Sequence, residues 1–499
     1  MSGVEGLLDL ACVLRDELKR GSWRQRVWHH SSPVSSPSPS APSSMKVLTE
    51  SNVRAACAQP ASLTQFSSRT GVRSALPQWS VEQIQAEIQR IAELPLAKAT
   101  TLPSQAYTSQ EFFDWEVDHI FRNDWLPLAH VSQIPAAGDF LNIDMLGEPL
   151  IVVRGKEDRI RVLSRICPHR AMDIMPEGFG YSGHGIGDAK EGQPGCGHAR
   201  LFMCPYHAWT FELDGRLKGS PEMQKTEEFE RDAWGLKEFR CEVWNGFVFV
   251  NLDGTAPALN ERLSDLSEAL APWHLDEMKM VIQMEWDCPF NWKVLAENFM
   301  ESYHHIGAHA KTLQPMMPAK NTWNEEERPA YIRAHLPLKD ALFEEIQSAQ
   351  ARGEHPYGFP KIASLSDELC KEWHLFLVHP LMLMSANPDR LIFYRMMPLG
   401  PDRMKLLTTT LVPASSTEHP DWPAMLESET KRLRDFHLED MEVCTAVQRG
   451  FYASGYQRGR LSYLEMSVWL IQRYIAARTR GVLPATNTPP APSQRPCLT

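Results

Sequence analysis

Two short segments hold one cysteine and one histidine each: Cys167-x-His169 in CPHRAM (167–172), and Cys204-x-x-His207 in CPYHAW (204–209). Two thiolates and two imidazoles suit either a structural zinc or a [2Fe–2S] cluster in which two histidines replace two cysteines on one iron. Zinc fingers more often put both cysteines in one loop and both histidines in the other. Here the types are mixed within each loop, and both loops follow β-rich runs, so the cluster fits better.

A second chemical stretch is NWKVLAENFMESYHHIGAH, 291–309. Glu301-x-x-His304 sets two side chains one turn apart on a helix. His309 follows His304 by five residues, about 140° round a regular helix, so both reach one metal only if the helix distorts or ends between them. Gly307 permits that. Two histidines need one carboxylate to complete the facial triad of a non-haem Fe(II) site. In LRDFHLEDMEVCTAVQRG (433–450), the helical period puts Asp440 on the stripe of Leu433, Phe436, Cys444 and Val447. Asp435, Glu439 and Glu442 fall on the opposite, charged side. A carboxylate on an apolar face must be paired or metal-bound, which selects Asp440 over Glu439. His437 lies near the same face and could support the ligands.

On these residues the two loops resemble those of a Rieske [2Fe–2S] domain. Respiratory Rieske proteins pair a second cysteine from each loop in a disulfide; here the nearby residues are Met172 and Tyr206, and the pattern is similar to the Rieske oxygenases. The later motifs extend the likeness over about 107–480. The family's N-x-x-[D/E]-x-Y-H-x-x-x-x-H element is matched by Asn298, Glu301, Tyr303, His304 and His309. Its late E-D helix with Q-x-G is matched by Glu439, Asp440, Gln448 and Gly450. The resemblance implies that Glu301 bridges to a cluster histidine of a neighbouring subunit and carries electrons to the iron. Glutamate there looks more like the carnitine and glycine-betaine branch than the ring-hydroxylating members. One departure is the 34 residues between His169 and Cys204, about double the usual separation. The excess, roughly 178–200, holds Cys196-x-His198, read here as part of a surface insertion rather than as ligands.

The elements that must position these groups are legible in outline. SVEQIQAEIQRIAEL (80–94) and SQEFFDWEVDHIFRNDW (109–125) have helical spacing, the latter starting at Ser109. From 126 to 253 short strands alternate with turns such as Asp214-Gly215. Residues 373–413 read as three antiparallel strands in which Met382, Met384, Met396 and Met397 are core or cavity wall. LSYLEMSVWLIQRYIAAR (461–478) reads as a closing helix. The expected class is α+β: an antiparallel β-sandwich Rieske [2Fe–2S] domain at 107–255, then a helix-over-antiparallel-sheet catalytic domain at 256–482. Residues 1–106 read as an extension, Ser/Pro-rich at 31–44, with Met45 as an alternative start; 483–499 read as a loose tail. GFGYSG at 178–183 matches G-x-G-x-x-G but lacks a strand-then-helix frame, and is rejected as a nucleotide site.

Composition sets the bounds. A chain of 499 residues exceeds one core, and a net charge of −11 argues against nucleic acid. No uncharged apolar run of 18 residues points to a membrane span. Ten scattered cysteines fit a reducing compartment, and cytoplasmic placement is expected. The resemblance implies the oxygenase component of a multicomponent system that hydroxylates or demethylates a small aromatic or quaternary ammonium substrate. Its cofactors would be a [2Fe–2S] cluster on Cys167, His169, Cys204 and His207 and a mononuclear Fe(II) on His304, His309 and Asp440, with O₂ as co-substrate. NAD(P)H would act only through a separate reductase, with or without a ferredoxin. The assembly expected is a head-to-tail homotrimer or α3β3. The alternatives are a Rieske electron carrier or redox sensor, and a zinc-stabilised structural protein.

Overall fold

The computed structural model describes residues 77–175 and 196–483, and the backbone of 188–189. The stretches 31–44 and 178–183, Met45 and the tail beyond 483 lie outside them. Short apolar runs between turn signals give the longer of the first eleven strands. They are β1 (Trp125–His130), β2 (Asp139–Met145), β3 (Glu148–Arg154), β4 (Ile160–Ser164), β5 (Asp188–Ala189), β6 (Cys196–His198), β7 (Phe202–Met203), β8 (Thr210–Phe211), β9 (Leu217–Gly219), β10 (Glu238–Trp244) and β11 (Phe247–Asn251). Eight form one sheet in the order β1-β11-β10-β4-β3-β2-β6-β5, and β7-β8-β9 form a smaller one. The β8–β9 turn uses Gly215 at φ +86°, where a Cβ would also meet the Leu236 carbonyl at 3.1 Å.

The second sheet runs β12 (Lys279–Cys288), β18 (Arg403–Val412), β17 (Leu391–Gly400), β16 (Met382–Ala386), β15 (Glu372–Val378), β14 (Tyr331–Pro337) and β13 (Trp323–Asn324). Every neighbour pair is antiparallel. The 373–413 stretch thus gives four strands, not three. The missed break is at His379-Pro380, because proline has no N–H for the ladder. Met382, Met384 and Met396 are fully buried in the core.

Five helices matter to the site: α1 (Val81–Ala92), α2 (Gln110–Glu116), α3 (Trp292–Met300), α4 (Trp422–Phe451) and α5 (Met466–Thr479). Helix α3 packs on β15 and β17, α4 on β12 and α5 on β14. The Ser80 capping box starts α1, and Ser109 caps α2 by accepting from Phe112 N–H. Helix α1 buries Ile84, Ile88 and Ile91, and Gln89 donates to Thr479 Oγ1 on α5 at 2.9 Å. The described part of the expected extension, 77–106, is therefore joined to the second sheet's helices, α1 packing on α5.

Polar bonds fix α3. Asn291 caps it by accepting from Lys293 N–H, and its own N–H donates to Gln448 Oε1 on α4 at 2.9 Å. Gln448 Nε2 in turn donates to the Tyr107 carbonyl at 3.1 Å. Lys293 Nζ meets Glu116 Oε1 at 2.7 Å with both side chains fully buried. Removing one partner of such a pair costs about 3–5 kcal/mol, because the other charge is left alone. One turn on, Glu297 accepts from Tyr107 Oη at 2.7 Å; desolvation pushes its carboxyl up to about 7, against the pull of Tyr107 and Lys293.

Because the folded-state pKa of Glu297 exceeds the unfolded one, the folded protein holds the extra proton between those values, and stability falls as pH rises through that window. The stability of Glu297→Gln relative to the parent is accordingly expected to improve from about pH 5 to about pH 8 in thermal melts. A difference independent of pH would contradict this.

Candidate metal centres

The two Cys/His loops share one backbone shape. In the first, Cys167 N–H donates to the Met172 carbonyl at 2.8 Å, and Ala171 N–H to the Cys167 carbonyl at 3.0 Å. In the second, Cys204 N–H donates to the Trp209 carbonyl at 2.7 Å, and Ala208 N–H to the Cys204 carbonyl at 3.0 Å. Ala171 and Ala208 occupy the same place in each loop, with φ +54° and +58°. The histidine sits one residue later in the second loop, yet the rings of His169 and His207 come within 4.7 Å. His169 also stacks on Trp209 at 4.7 Å, with planes 4° apart.

Cys167 and Cys204 are buried and unbridged. Burial, and then the neighbouring Cys204, push the Cys167 thiol up to about 11 as a free acid. His207 Nδ1 is buried without a hydrogen-bond partner. Two buried thiols beside an orphaned ring nitrogen are costly unless they ligate something, and the set fits a [2Fe–2S] group. Cys196 and His198 lie apart on β6: His198 Nδ1 pairs with Asp139 Oδ1 at 3.0 Å. Neither joins a converging donor group among the described residues.

At the other sheet, α3 stops at Met300, before Glu301 and well before Gly307. Glu301 is extended, His304 lies on the 3₁₀ turn Tyr303–Ile306, and His309 on the turns that follow. The Glu301–His304 step is therefore a capped turn rather than an α-helical one. Gly307 has φ −105°, which other residues adopt, so its freedom is not what ends the helix.

This arrangement brings His304, His309 and Asp440 together. His309 Nε2 lies 3.0 Å and His304 Nε2 3.7 Å from Asp440 Oδ1, and the three donor atoms fall within 4.8 Å of one another. Such separations suit ligands at about 2.0–2.2 Å from a common ion. The opposite nitrogens face carboxylates: His304 Nδ1 meets Glu301 Oε1 at 2.8 Å, and His309 Nδ1 meets Glu439 Oε2 at 2.7 Å. Burial works against the charged form of His309, but Asp440 and Glu439 outweigh it and raise its pKa.

Sequence periodicity placed Glu439 on the wrong face. The buried stripe of α4 is Leu433, His437, Met441, Cys444 and Gln448, while Val447 is 42% exposed. Asp440 and Glu439 flank that stripe and grip His309 from two sides. Nothing local announces the Glu439 contact, because His309 lies 130 residues away. His305, missed as a neighbour, is buried with Nδ1 on the Met317 carbonyl at 3.2 Å, and burial lowers its pKa to about 4.

A cluster-type donor set on two loops, one after β4 and one between β7 and β8, and a two-histidine, one-carboxylate set at the second sheet are the donor sets of a two-centre iron oxygenase. Compared with known proteins, residues 124–230 match the Rieske [2Fe-2S] domain, and residues 275–481 the ring hydroxylating alpha subunit (catalytic domain). The chain belongs to the Rieske non-haem iron oxygenases, as an oxygenase component. It is 26% identical over 380 residues to the carnitine monooxygenase oxygenase subunit of Acinetobacter pittii, covering 73% of this chain and 88% of that one. It is 28% identical over 394 residues to the glycine betaine monooxygenase oxygenase subunit of Chromohalobacter salexigens, covering 72% and 82%. The fold is similar to the quaternary ammonium Rieske monooxygenase CntA in complex with an inhibitor (TM-score 0.63, 21% identity, 81% of this chain and all of that one). It is also similar to naphthalene 1,2-dioxygenase from Rhodococcus sp. (TM-score 0.61, 20% identity, 79% and 98%).

The chain is thus an oxidoreductase that uses a [2Fe–2S] cluster, a mononuclear iron, O₂ and electrons from a separate reductase. The catalytic-domain match displaces both the carrier and the zinc-scaffold readings. Among the described residues no helix is long and apolar enough to cross a membrane.

Glu439→Ala is expected to weaken retention of the mononuclear iron by about 10–100-fold while leaving the cluster absorbance unchanged. Iron per chain and the visible spectrum check it. Undiminished iron would remove Glu439 from the site.

Proposed function

We propose that this oxygenase acts on a small quaternary ammonium compound, oxidising a carbon attached to nitrogen. The observation that supports it is a run of rings leading from the candidate iron ligands. Phe436 stacks on His309 with centroids 5.0 Å apart and abuts His437, which stacks against Trp286 at 5.5 Å and Tyr394 at 5.3 Å; Phe299 meets Tyr394 edge-on at 4.8 Å. Burial keeps His437 neutral and raises the Tyr394 hydroxyl, so neither adds charge. Aromatic faces attract a cation that lacks hydrogen-bond donors, with more effect once it is desolvated. The carnitine and glycine betaine oxygenase subunits among the relatives agree with this reading.

In this reading Cys167, His169, Cys204 and His207 hold the cluster, and His304, His309 and Asp440 hold the iron. When bound, these groups supply electron storage and O₂ activation. The protein's own part is positioning. Glu301 and Glu439 take the Nδ1 protons and so leave both Nε2 atoms facing Asp440. The rings exclude water and would hold the N-bound carbon beside the ligand set. One C–H is replaced by C–OH; the second oxygen atom leaves as water with two protons and two electrons, and the resulting N-hydroxyalkyl ammonium breaks its C–N bond to give a carbonyl compound, a tertiary amine and the hydroxyl proton.

Electron delivery in this reading crosses a subunit boundary. Tyr206, 51% exposed, stands beside His207 at the tip of the cluster loops, and Tyr303 and Ile306, 46% and 53% exposed, stand beside His304. Large apolar residues exposed at both centres suit two unlike faces that pair head to tail and close into a ring. The seven described cysteines are unbridged, which supports a reducing, cytoplasmic setting in this reading.

Oxygen uptake with a compatible reductase is expected with carnitine or glycine betaine and to be absent with biphenyl; the reverse pattern would replace the substrate class. Light scattering is expected to give three times the 56.7 kDa chain mass, or that mass with an added second subunit. Ile306→Asp is expected to return the protein to single chains; a parent that is already monomeric would overturn the interface.

A further inference from the structure

The catalytic sheet carries a second convergence of metal-binding side chains, built on elements that hold none of the candidate iron ligands. His335 on β14 stands directly opposite His374 on β15, and Glu372 lies two residues before His374 on the same strand face. The two rings are 5.2 Å apart. His335 Nδ1 is 2.8 Å and His374 Nδ1 3.8 Å from Glu372 Oε1, and the three donor atoms fall within 4.8 Å of one another. Both histidines are almost wholly buried, while the Glu372 side chain keeps 20% exposure.

The outward nitrogens make the case. His335 Nε2 faces Glu325 Oε1 at 3.4 Å, and His374 Nε2 faces the Leu369 backbone carbonyl at 3.4 Å. Both partners can only accept, so with Nδ1 on a metal each ring can hold its one proton on Nε2. A carboxylate or a backbone carbonyl on the far nitrogen is the usual support of a metal-ligating histidine. The rings are further held by Trp323, stacked on His335 at 3.7 Å and 8°, and by Trp273, edge-on to His374 at 5.3 Å.

We propose that His335, His374 and Glu372 form a second metal site that takes a divalent first-row ion, zinc by its imidazole and carboxylate donors, and clamps β14 to β15. The ion would take the place of the direct His335 Nδ1–Glu372 contact at 2.8 Å. Arg333 Nη2, 3.3 Å from His374 Nδ1, gives up that hydrogen bond and keeps its ion pair with Glu325 at 2.9 Å.

Zinc content after equilibrium dialysis of the full-length protein tests this. A His304→Ala, His309→Ala double variant, which removes the candidate iron ligands, is expected to retain one zinc per chain. Glu372→Gln is expected to lower zinc affinity by more than about tenfold, with the cluster absorbance as the control for folding. Crystals of the unaltered protein soaked in zinc are expected to give an anomalous peak between the three side chains, which needs no variant to fold. Absence of zinc from the double variant, unchanged affinity in Glu372→Gln, or no peak at this place would leave an ion-pair network only and overturn the site.

Discussion

Two imidazoles five residues apart can face one carboxylate only where the helix that carries them has already ended. The chain meets that constraint by stopping α3 at Met300. Everything at the catalytic face follows from how firmly the stop is placed. Asn291 starts the helix and hydrogen-bonds to Gln448 on α4, and Gln448 reaches Tyr107, so three distant segments share one set of bonds. The same α4 carries Asp440 two turns before Gln448. A slip of α3 along α4 would therefore break buried hydrogen bonds as well as misplace a candidate ligand.

Polar groups buried around the sheet make such slips costly. Lys293 with Glu116, Arg262 with Asp124, and Arg390 with Asp389 and Glu429 are all ion pairs shielded from water. Pairs of this kind add little net stability over apolar residues of the same size. Their effect is on alternatives: any packing that separates them leaves a bare charge in the core. Here they tie the segment before β1 to α3 and to the short helix Leu259–Arg262 after β11, and the turn before β17 to α4. The frame around the two donor sets is thereby made single-valued.

What was legible in the sequence is what local spacing controls. The Cys/His loops, the two histidines and Asp440 could be found because residue type and separation carry the signal. The helix start at Ser109 was legible for the same reason. Less was visible where distant segments decide. The stripe of α4 is rotated from the apolar one: Val447 is exposed, while His437 and Gln448 are buried because Trp286, Tyr394 and Asn291 meet them there. Glu439 looked like a solvated charge and is bonded to His309. The pairing of His335 with His374 depends on strand register, which no local pattern fixes. The break at His379-Pro380 was hidden by apolar residues running through it.

The matched left-handed alanines of the two Cys/His loops bear on how the protein matures. A non-glycine residue in that conformation costs about 1–2 kcal/mol, and each loop contains one. The strands that flank them close by ordinary ladder bonds and can form first, leaving two tensed clasps with their thiols turned inward. A group held by both loops would offset that strain, and without it the clasps loosen over the buried Trp209 that His169 stacks on. Damage at this edge should be felt as local opening long before the rest of the molecule gives way.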